Sequence, residues 1–150
     1  KTTTDSSTKF ADAVYQYERY DSSLKTTYYY HYYIPKSLKT VKVNGTEIGS
    51  RAFNNCTDLT RVTIGDSVTS IGEYAFSDRN SLATVYYKGS AQEWNNISIN
   101  NENNGNECLT SATRYYYSET EPALNADGTA YDGNFWYYDE NGVPTVWKKN

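Results

Sequence analysis

The sequence predicts a β-rich solenoid whose short parallel strands stack at a period of about 23 residues. One pattern, built from an Ile-Gly pair, an Ala-Phe pair, a leucine and a strand ending, occurs at residues 48–64 and again at 71–87. The composition is compatible with this fold, since only 37% of the 150 residues are apolar and 17 residues are tyrosine. A stack tolerates this composition because each turn buries only one side, against the next turn.

Each repeat is predicted to contribute one short strand. Val62 and Ile64 are two residues apart and share the inward face of that strand, while Arg61 points outward. Equivalent strands of successive turns then form a parallel ladder with a spacing of roughly 4.8 Å. This arrangement is expected to bring Val41, Val62 and Val85 into contact in one column.

The chain divides into four predicted segments. Residues 1–9 are almost entirely polar and are expected to be a flexible lead-in. The solenoid covers 10–117, with regular units over 34–99, and is followed by a linker at 118–133 and an aromatic hairpin at 134–150. The tyrosine-dense stretch at the start of the solenoid alternates near period two, so we interpret it as the strands of an irregular incoming turn.

The last part of the solenoid departs from the regular pattern. A capping box at residues 90–93 predicts a single short helix. Residues 100–107 are mostly Asn and Glu, which predicts a solvated and mobile loop. Leu109 and Ala112 then take apolar positions of a last strand, with Ala112 in the place that Val85 has in the turn before.

The C-terminal residues predict an aromatic β-hairpin. Residues 135–138 and 143–147 are rich in aromatic and β-branched side chains, and they flank an Asn-Gly dipeptide at residues 141–142. Asn-Gly favours the tight turn that joins two antiparallel strands. We interpret the hairpin as a cap on the open end of the solenoid or as a separate tail.

The repeat resembles the BspA-type leucine-rich repeats of bacterial surface proteins, whose units read Ser-Ile-Gly-x-x-Ala-Phe-x-x-Cys-x-x-Leu-x-x-Val-x-Ile. Residues 48–64 match this unit at every specified position from its Ile-Gly pair to its final Ile, including Cys56. The second copy has Arg79 in place of Cys and Tyr87 in place of Ile, so we expect an opened corner and the end of the array there. The resemblance implies a non-catalytic module that is secreted or attached to a bacterial cell surface and mediates adhesion to host, neighbouring-cell or matrix proteins.

The composition also limits the partners. A net charge of −4 argues against a nucleic-acid partner, and no apolar run is long enough for membrane insertion. The chain begins at Lys1 and has no Met, so we expect a processed product or fragment without its signal peptide. With a single histidine, His31, and carboxylates scattered through corners, the sequence predicts no catalytic set, no metal site and no cofactor.

The outward row of the strand ladder is the leading candidate for a binding site. Its side chains would project side by side from a rigid surface, and arginine and tyrosine are enriched at interfaces. The alternative is an ordinary solvated sheet face, since Thr and Lys also protect exposed strands. The proposed ligand-binding residues are Lys42, Arg61, Thr63, Thr84 and Tyr86.

The hairpin suggests two further functions. Trp136, Tyr138 and Trp147 could stack on the apolar faces of sugar rings, as in carbohydrate or cell-wall binding, and their spacing faintly resembles choline- and glucan-binding wall repeats. The same three aromatic residues could instead cover the end of the solenoid. A third possibility is a structural module that self-associates end to end through open solenoid ends.

Overall fold

The computed structural model describes residues 14–33, 37–77 and 81–149. Strands dominate these ranges, and the helices are short. The strands are β1 (Val14–Asp21), β2 (Thr26–Tyr33), β3 (Thr40–Val43), β4 (Glu47–Ile48), β5 (Arg61–Ile64), β6 (Ser70–Ile71), β7 (Thr84–Tyr87), β8 (Ser98–Ile99), β9 (Thr113–Tyr117), β10 (Phe135–Tyr138) and β11 (Pro144–Val146). The helices are α1 (Ala91–Trp94) and α2 (Glu107–Ser111), with a 3-10 turn at Glu102–Asn104 between them.

The main sheet has the strand order β11-β10-β9-β7-β5-β3. Its neighbours are parallel from β3 to β10, and only the last pair, β10 and β11, is antiparallel. The predicted column is confirmed, because Val41 pairs with Val62 and Val62 pairs with Val85. The alternation within each strand therefore aligns the valines of successive turns on one face.

A second, smaller sheet corrects the expectation of one strand per turn. Strands β4, β6 and β8 pair in parallel, with Ile48 beside Ile71 and Ile71 beside Ile99. The isoleucine at the start of each repeat thus ends a two-residue strand as well as filling the core. Each regular turn therefore contributes one strand to each of two sheets, and the apolar side chains lie between them.

The spacing of paired residues varies along the stack. Between the first two turns it is 21 residues at the main sheet, as in the bond from the Thr60 hydroxyl to the Lys39 carbonyl, and 23 residues at the smaller sheet, as in the bond from the Thr69 hydroxyl to the Thr46 carbonyl. The next turn is longer because it contains α1 and α2. The capping box that predicted α1 is confirmed: the Ser90 hydroxyl accepts from the Glu93 amide, and the Glu93 carboxylate accepts from the Ser90 amide.

The register of β9 differs from the prediction. Val85 pairs with Arg114 and not with Ala112, which precedes the strand. Leu109 is fully buried, but it lies in α2. The guanidinium carbon of Arg114 sits 4.0 Å from the ring centroid of Trp94. A planar cation stacked on an indole thus takes the place of an aliphatic side chain where the apolar core ends.

The core packs between the two parallel sheets. Cys56 is fully buried in it, as its place in the repeat predicted. Tyr87 occupies the isoleucine position of the repeat, where its ring packs edge-on against Trp94 with centroids 5.2 Å apart. Arg79, the other departure in that repeat, lies outside the described residues.

The tyrosine-dense stretch forms a β-hairpin. β1 and β2 pair antiparallel along their length, from Val14 beside Tyr33 to Asp21 beside Thr26. The strands were predicted, but they form a two-stranded sheet of their own. The hairpin does not pair with β3 in the part of the chain that the structure describes.

The loop predicted at residues 100–107 is more ordered than its composition indicates. It holds the 3-10 turn and a fully buried side chain, Asn106. The Asn106 amide oxygen accepts from the Phe76 amide at 3.0 Å, and its nitrogen donates to the carbonyls of Gly72 at 2.9 Å and Asn100 at 2.6 Å. The segment is therefore tied to the repeat before it.

Candidate functional site

The predicted binding row lies on one face of the main sheet, and the sheet curls toward that face. In β3 and β10 this face carries Lys42 and Tyr138, and the Lys42 ammonium lies 5.0 Å from the centre of the Tyr138 ring. Three strands separate β3 from β10, so a flat sheet would hold them roughly 19 Å apart at about 4.8 Å per strand. The sheet is therefore a half-barrel, and the row lines its concave face.

Aromatic side chains fill the concave face. Trp136, in β10, is fully buried there. Its ring centroid lies 5.2 Å from that of Tyr86, 5.1 Å from that of Tyr117 and 4.9 Å from that of Tyr138. Its indole nitrogen reaches across to donate to the Tyr87 carbonyl at 2.8 Å. The concave face thus has an aromatic core of its own, separate from the core between the two sheets.

This packing corrects the prediction for two of the five row residues. Thr63 is 6% exposed and Tyr86 is 4% exposed, so neither projects freely from the surface. The C-terminal hairpin continues the sheet and brings Trp136 against Tyr86, which no spacing within the repeats indicated. Arg61 and Thr84 are half-buried, and only Lys42 is exposed.

Charge is held at the edge of the aromatic cluster. The Arg61 guanidinium lies 5.4 Å from the centre of the Tyr86 ring, within range of a cation–π interaction. Burial raises the pKa of the Tyr86 hydroxyl above its usual value, and the positive charge of Arg61 offsets part of that rise. Tyr86 therefore stays neutral at physiological pH, and Arg61 carries the positive charge beside it.

A groove opens between the start of the half-barrel and the turn of the C-terminal hairpin. Its volume is about 310 Å³. Two cations face it, Lys42 and Arg61, and Val143 in the hairpin turn is 48% exposed beside them. The full lining is Thr40, Val41, Lys42, Arg61, Thr63, Tyr138, Gly142, Val143 and Pro144. Such a groove can accept an extended segment that carries negative charge.

The structure separates the three aromatic residues that the sequence grouped. Trp136 and Tyr138 share the concave face, and the buried Trp136 offers no exposed face for a sugar. Trp147 lies on the opposite face of the hairpin, with its ring centroid 4.4 Å from that of Tyr137 and 6.2 Å from that of Tyr131. The alternation of β10 could have placed Tyr137 opposite Trp136, but the approach of Tyr131 depends on a fold of the preceding segment that the sequence did not indicate.

The segment predicted as a linker is folded against this face. Leu124 and Tyr131 form an isolated antiparallel bridge. Asn125 accepts from the amides of Thr129 and Ala130, and Asp127 accepts from the amide and hydroxyl of Thr129. These hydrogen bonds lower the pKa of the Asp127 carboxyl. The acidic and glycine-rich residues here make a tight turn.

The described residues contain no cluster of metal-ligating side chains, and the Cys56 thiol is buried. Within residues 14–33, 37–77 and 81–149, no group of three or more His, Cys, Asp or Glu side chains is placed to hold a metal ion. Burial raises the pKa of the Cys56 thiol to about 11. A nucleophilic cysteine needs a lowered pKa and an open approach, and Cys56 has neither.

None of the helices in the described part of the chain is long and apolar enough to cross a membrane.

Comparison with known proteins agrees with the parallel stack. Neither a search of curated proteins nor a search of solved structures gave a match. A family model for the BspA type leucine rich repeat region, with six copies, matches residues 7–116 and so begins ahead of the β1–β2 hairpin. Since that match spans well over half of the chain, the protein belongs to the BspA-type leucine-rich repeat family.

Proposed function

We propose that this chain is a non-catalytic protein-binding module of a bacterial cell surface, which holds an acidic segment of its partner in the groove at Lys42 and Arg61. The observation that carries the proposal is the pair of cations at the mouth of a half-barrel. They stand on adjacent strands of a rigid ladder, next to the exposed Val143. Membership of a repeat family that is typically extracellular or surface-associated supports the setting.

The chemistry of the groove favours an acidic, partly apolar segment. A carboxylate entering it would meet Lys42 and Arg61, and an aliphatic side chain would cover Val143. Charges at the rim of an interface mainly raise the association rate and select the partner, while buried apolar contacts slow dissociation. The partner surface is therefore expected to combine Asp or Glu with one or two apolar residues.

The aromatic hairpin has a structural role in this proposal, as the cap of the repeat array. β10 continues the parallel ladder beyond β9, and β11 ends it with an antiparallel strand that contains Pro144. Proline cannot donate a backbone hydrogen bond, which makes β11 a poor template for another strand. The cap also supplies one wall of the groove, through Tyr138 and Val143.

The test is binding to a panel of purified extracellular-matrix and cell-surface proteins, measured by biolayer interferometry at low and physiological salt. Lys42→Glu is the test variant, because Lys42 is exposed and lines the groove. Lys88→Glu is the matched control, since it makes the same charge change at an exposed lysine outside the groove. We expect Lys42→Glu to weaken binding at least ~10-fold, about 1.4 kcal/mol, and to reduce its salt dependence, with Lys88→Glu unchanged.

Two results would reject the proposal. If a partner binds wild type and Lys42→Glu with equal affinity and equal salt dependence, binding occurs elsewhere on the chain. If Lys88→Glu weakens binding as much as Lys42→Glu, the effect comes from net charge and not from the groove.

A further inference from the structure

A second groove lies on the face of the C-terminal hairpin opposite Trp136. Its volume is about 570 Å³, within the range of small-molecule sites. It is formed by three parts of the chain that are distant in sequence: the segment before the hairpin, β10 and the C-terminal residues. Its lining is Glu121, Tyr131, Tyr137, Val146, Trp147, Lys148 and Lys149.

The aromatic wall of this groove is held in place by the protein itself. The Trp147 indole nitrogen donates to the Ser118 carbonyl at 3.0 Å, and the Trp147 amide donates to the Phe135 carbonyl at 3.0 Å. Tyr137 leans on the indole at an interplanar angle of 39°, and Tyr131 meets it edge-on at 76°. All three rings are only half-buried, so part of each remains open to the groove. Rings that are already ordered lose little entropy when a ligand stacks on them.

Polar groups of both hydrogen-bonding types surround the aromatic wall. The Tyr131 hydroxyl donates to a Glu121 carboxylate oxygen at 2.9 Å, which orients the carboxylate and leaves its other oxygen as an acceptor. The Lys149 ammonium is anchored by donating to the Gly128 carbonyl, and Lys148 is exposed at the rim. With two cations and one carboxylate, the lining carries a net positive charge.

The combination fits a sugar better than a purely apolar ligand. A pyranose ring has an apolar face of C–H groups and a rim of hydroxyls that both donate and accept hydrogen bonds. The C–H face matches an aromatic surface, and the hydroxyls match a carboxylate acceptor and ammonium donors placed around it. We propose that this groove binds a polysaccharide, with one ring stacked on Trp147, a hydroxyl donating to Glu121 and any acidic substituent facing Lys148. This site is independent of the cationic groove at Lys42, because it lies on the other face of β10 and β11.

The test uses two soluble polymers, a neutral β-glucan and polygalacturonate, with binding measured by affinity electrophoresis and isothermal titration calorimetry. Glu121→Gln is the main variant, because it keeps the shape of the side chain but weakens the acceptor. Glu119→Gln, an exposed neighbour outside the groove, is its control. Trp147→Ala is the second variant, with its folding checked by circular dichroism.

We expect at least one of the two polymers to bind the wild-type protein. Trp147→Ala should weaken that binding at least ~10-fold and Glu121→Gln at least ~3-fold, while Glu119→Gln should have no effect. Added salt should weaken the binding of polygalacturonate and leave the binding of the neutral glucan unaffected, which shows whether the lysine charges of the groove contribute. If Trp147→Ala does not fold, the Glu121→Gln and Glu119→Gln pair decides. The proposal is overturned if neither polymer binds, if the Glu121→Gln and Glu119→Gln variants bind alike, or if the groove variants abolish binding of a protein and leave polysaccharide binding intact.

Discussion

At the scale of single residues, Asn106 is a fully buried polar residue that ties the segment before α2 to the preceding repeat. Its side chain makes three hydrogen bonds while fully buried, one accepted from Phe76 and two donated to Gly72 and Asn100. A net contribution of about 1 kcal/mol per bond is typical, and an unpaired buried group costs more. The sequence could not single it out, because Asn106 stands in a run of Asn and Glu whose composition indicates solvent.

Asn106→Asp is expected to destabilise the fold by about 3 kcal/mol or more. A carboxylate cannot donate to the two carbonyls, and at neutral pH it would place a buried charge against them. The control is Asn103→Asp, an exposed residue of the same segment, which should stay within about 0.5 kcal/mol of wild type. Urea unfolding at pH 7 gives both values. Equal stability of the two variants would mean that the network around residue 106 contributes little.

The two cysteines should differ in reactivity. Cys56 is fully buried and the pKa of its thiol is raised to about 11, whereas Cys108 is half-buried. In Ellman's assay at pH 8, native protein should therefore release one equivalent of thiol well before the second, and urea should release both at once. Two equally fast thiols in the native protein would contradict the buried position of Cys56.

The same raised pKa predicts a pH dependence of stability. Because the folded pKa of Cys56 lies above its unfolded value of about 9, the unfolded chain loses the thiol proton first as the pH rises. The free energy of unfolding should therefore fall as the pH rises from about 9 to 11.

At the scale of the elements, equivalent positions of successive turns are not equivalent in packing. Phe53 and Phe76 hold the same position of two repeats and stack with their ring centroids 5.2 Å apart. Phe76 is fully buried, but Phe53 is only half-buried because it belongs to the outermost turn of the described stack. The repeat pattern places the two rings at equivalent positions, and it could not tell which ring would have neighbours on both sides.

Phe76→Ala should cost about 3–5 kcal/mol, the range for removing a fully buried phenylalanine. Phe53→Ala should cost about half as much, since part of its ring is already in water. The two variants are matched in chemistry and in local sequence, so their difference in urea midpoint measures position within the stack. A larger loss for Phe53→Ala than for Phe76→Ala would contradict the described packing.

At the scale of the whole molecule, the parallel stack was predictable and its closure was not. The column of Val41, Val62 and Val85 follows from spacing alone, because each strand has a period of two and each turn restores the register. The hairpin at residues 135–147 was also predictable, from the aromatic and β-branched residues of its two strands and from its Asn-Gly turn. Its pairing with β9 was not, because that contact joins distant parts of the chain and depends on how the segment between them folds. For the same reason the sequence predicted an open row of side chains where the structure has a filled concave face.

The central claim is that the C-terminal hairpin belongs to the half-barrel and fills its concave face through Trp136. Urea unfolding of Trp136→Ala, with Trp147→Ala as the matched control, tests it most directly. Both variants remove a tryptophan from the same hairpin, but Trp136 is fully buried and Trp147 is half-buried. The account predicts a loss of about 3–5 kcal/mol for Trp136→Ala in a single cooperative transition, and a loss less than half as large for Trp147→Ala. Equal and small losses, below about 1 kcal/mol for both variants, would show that the hairpin is a free appendage and that the concave face is open.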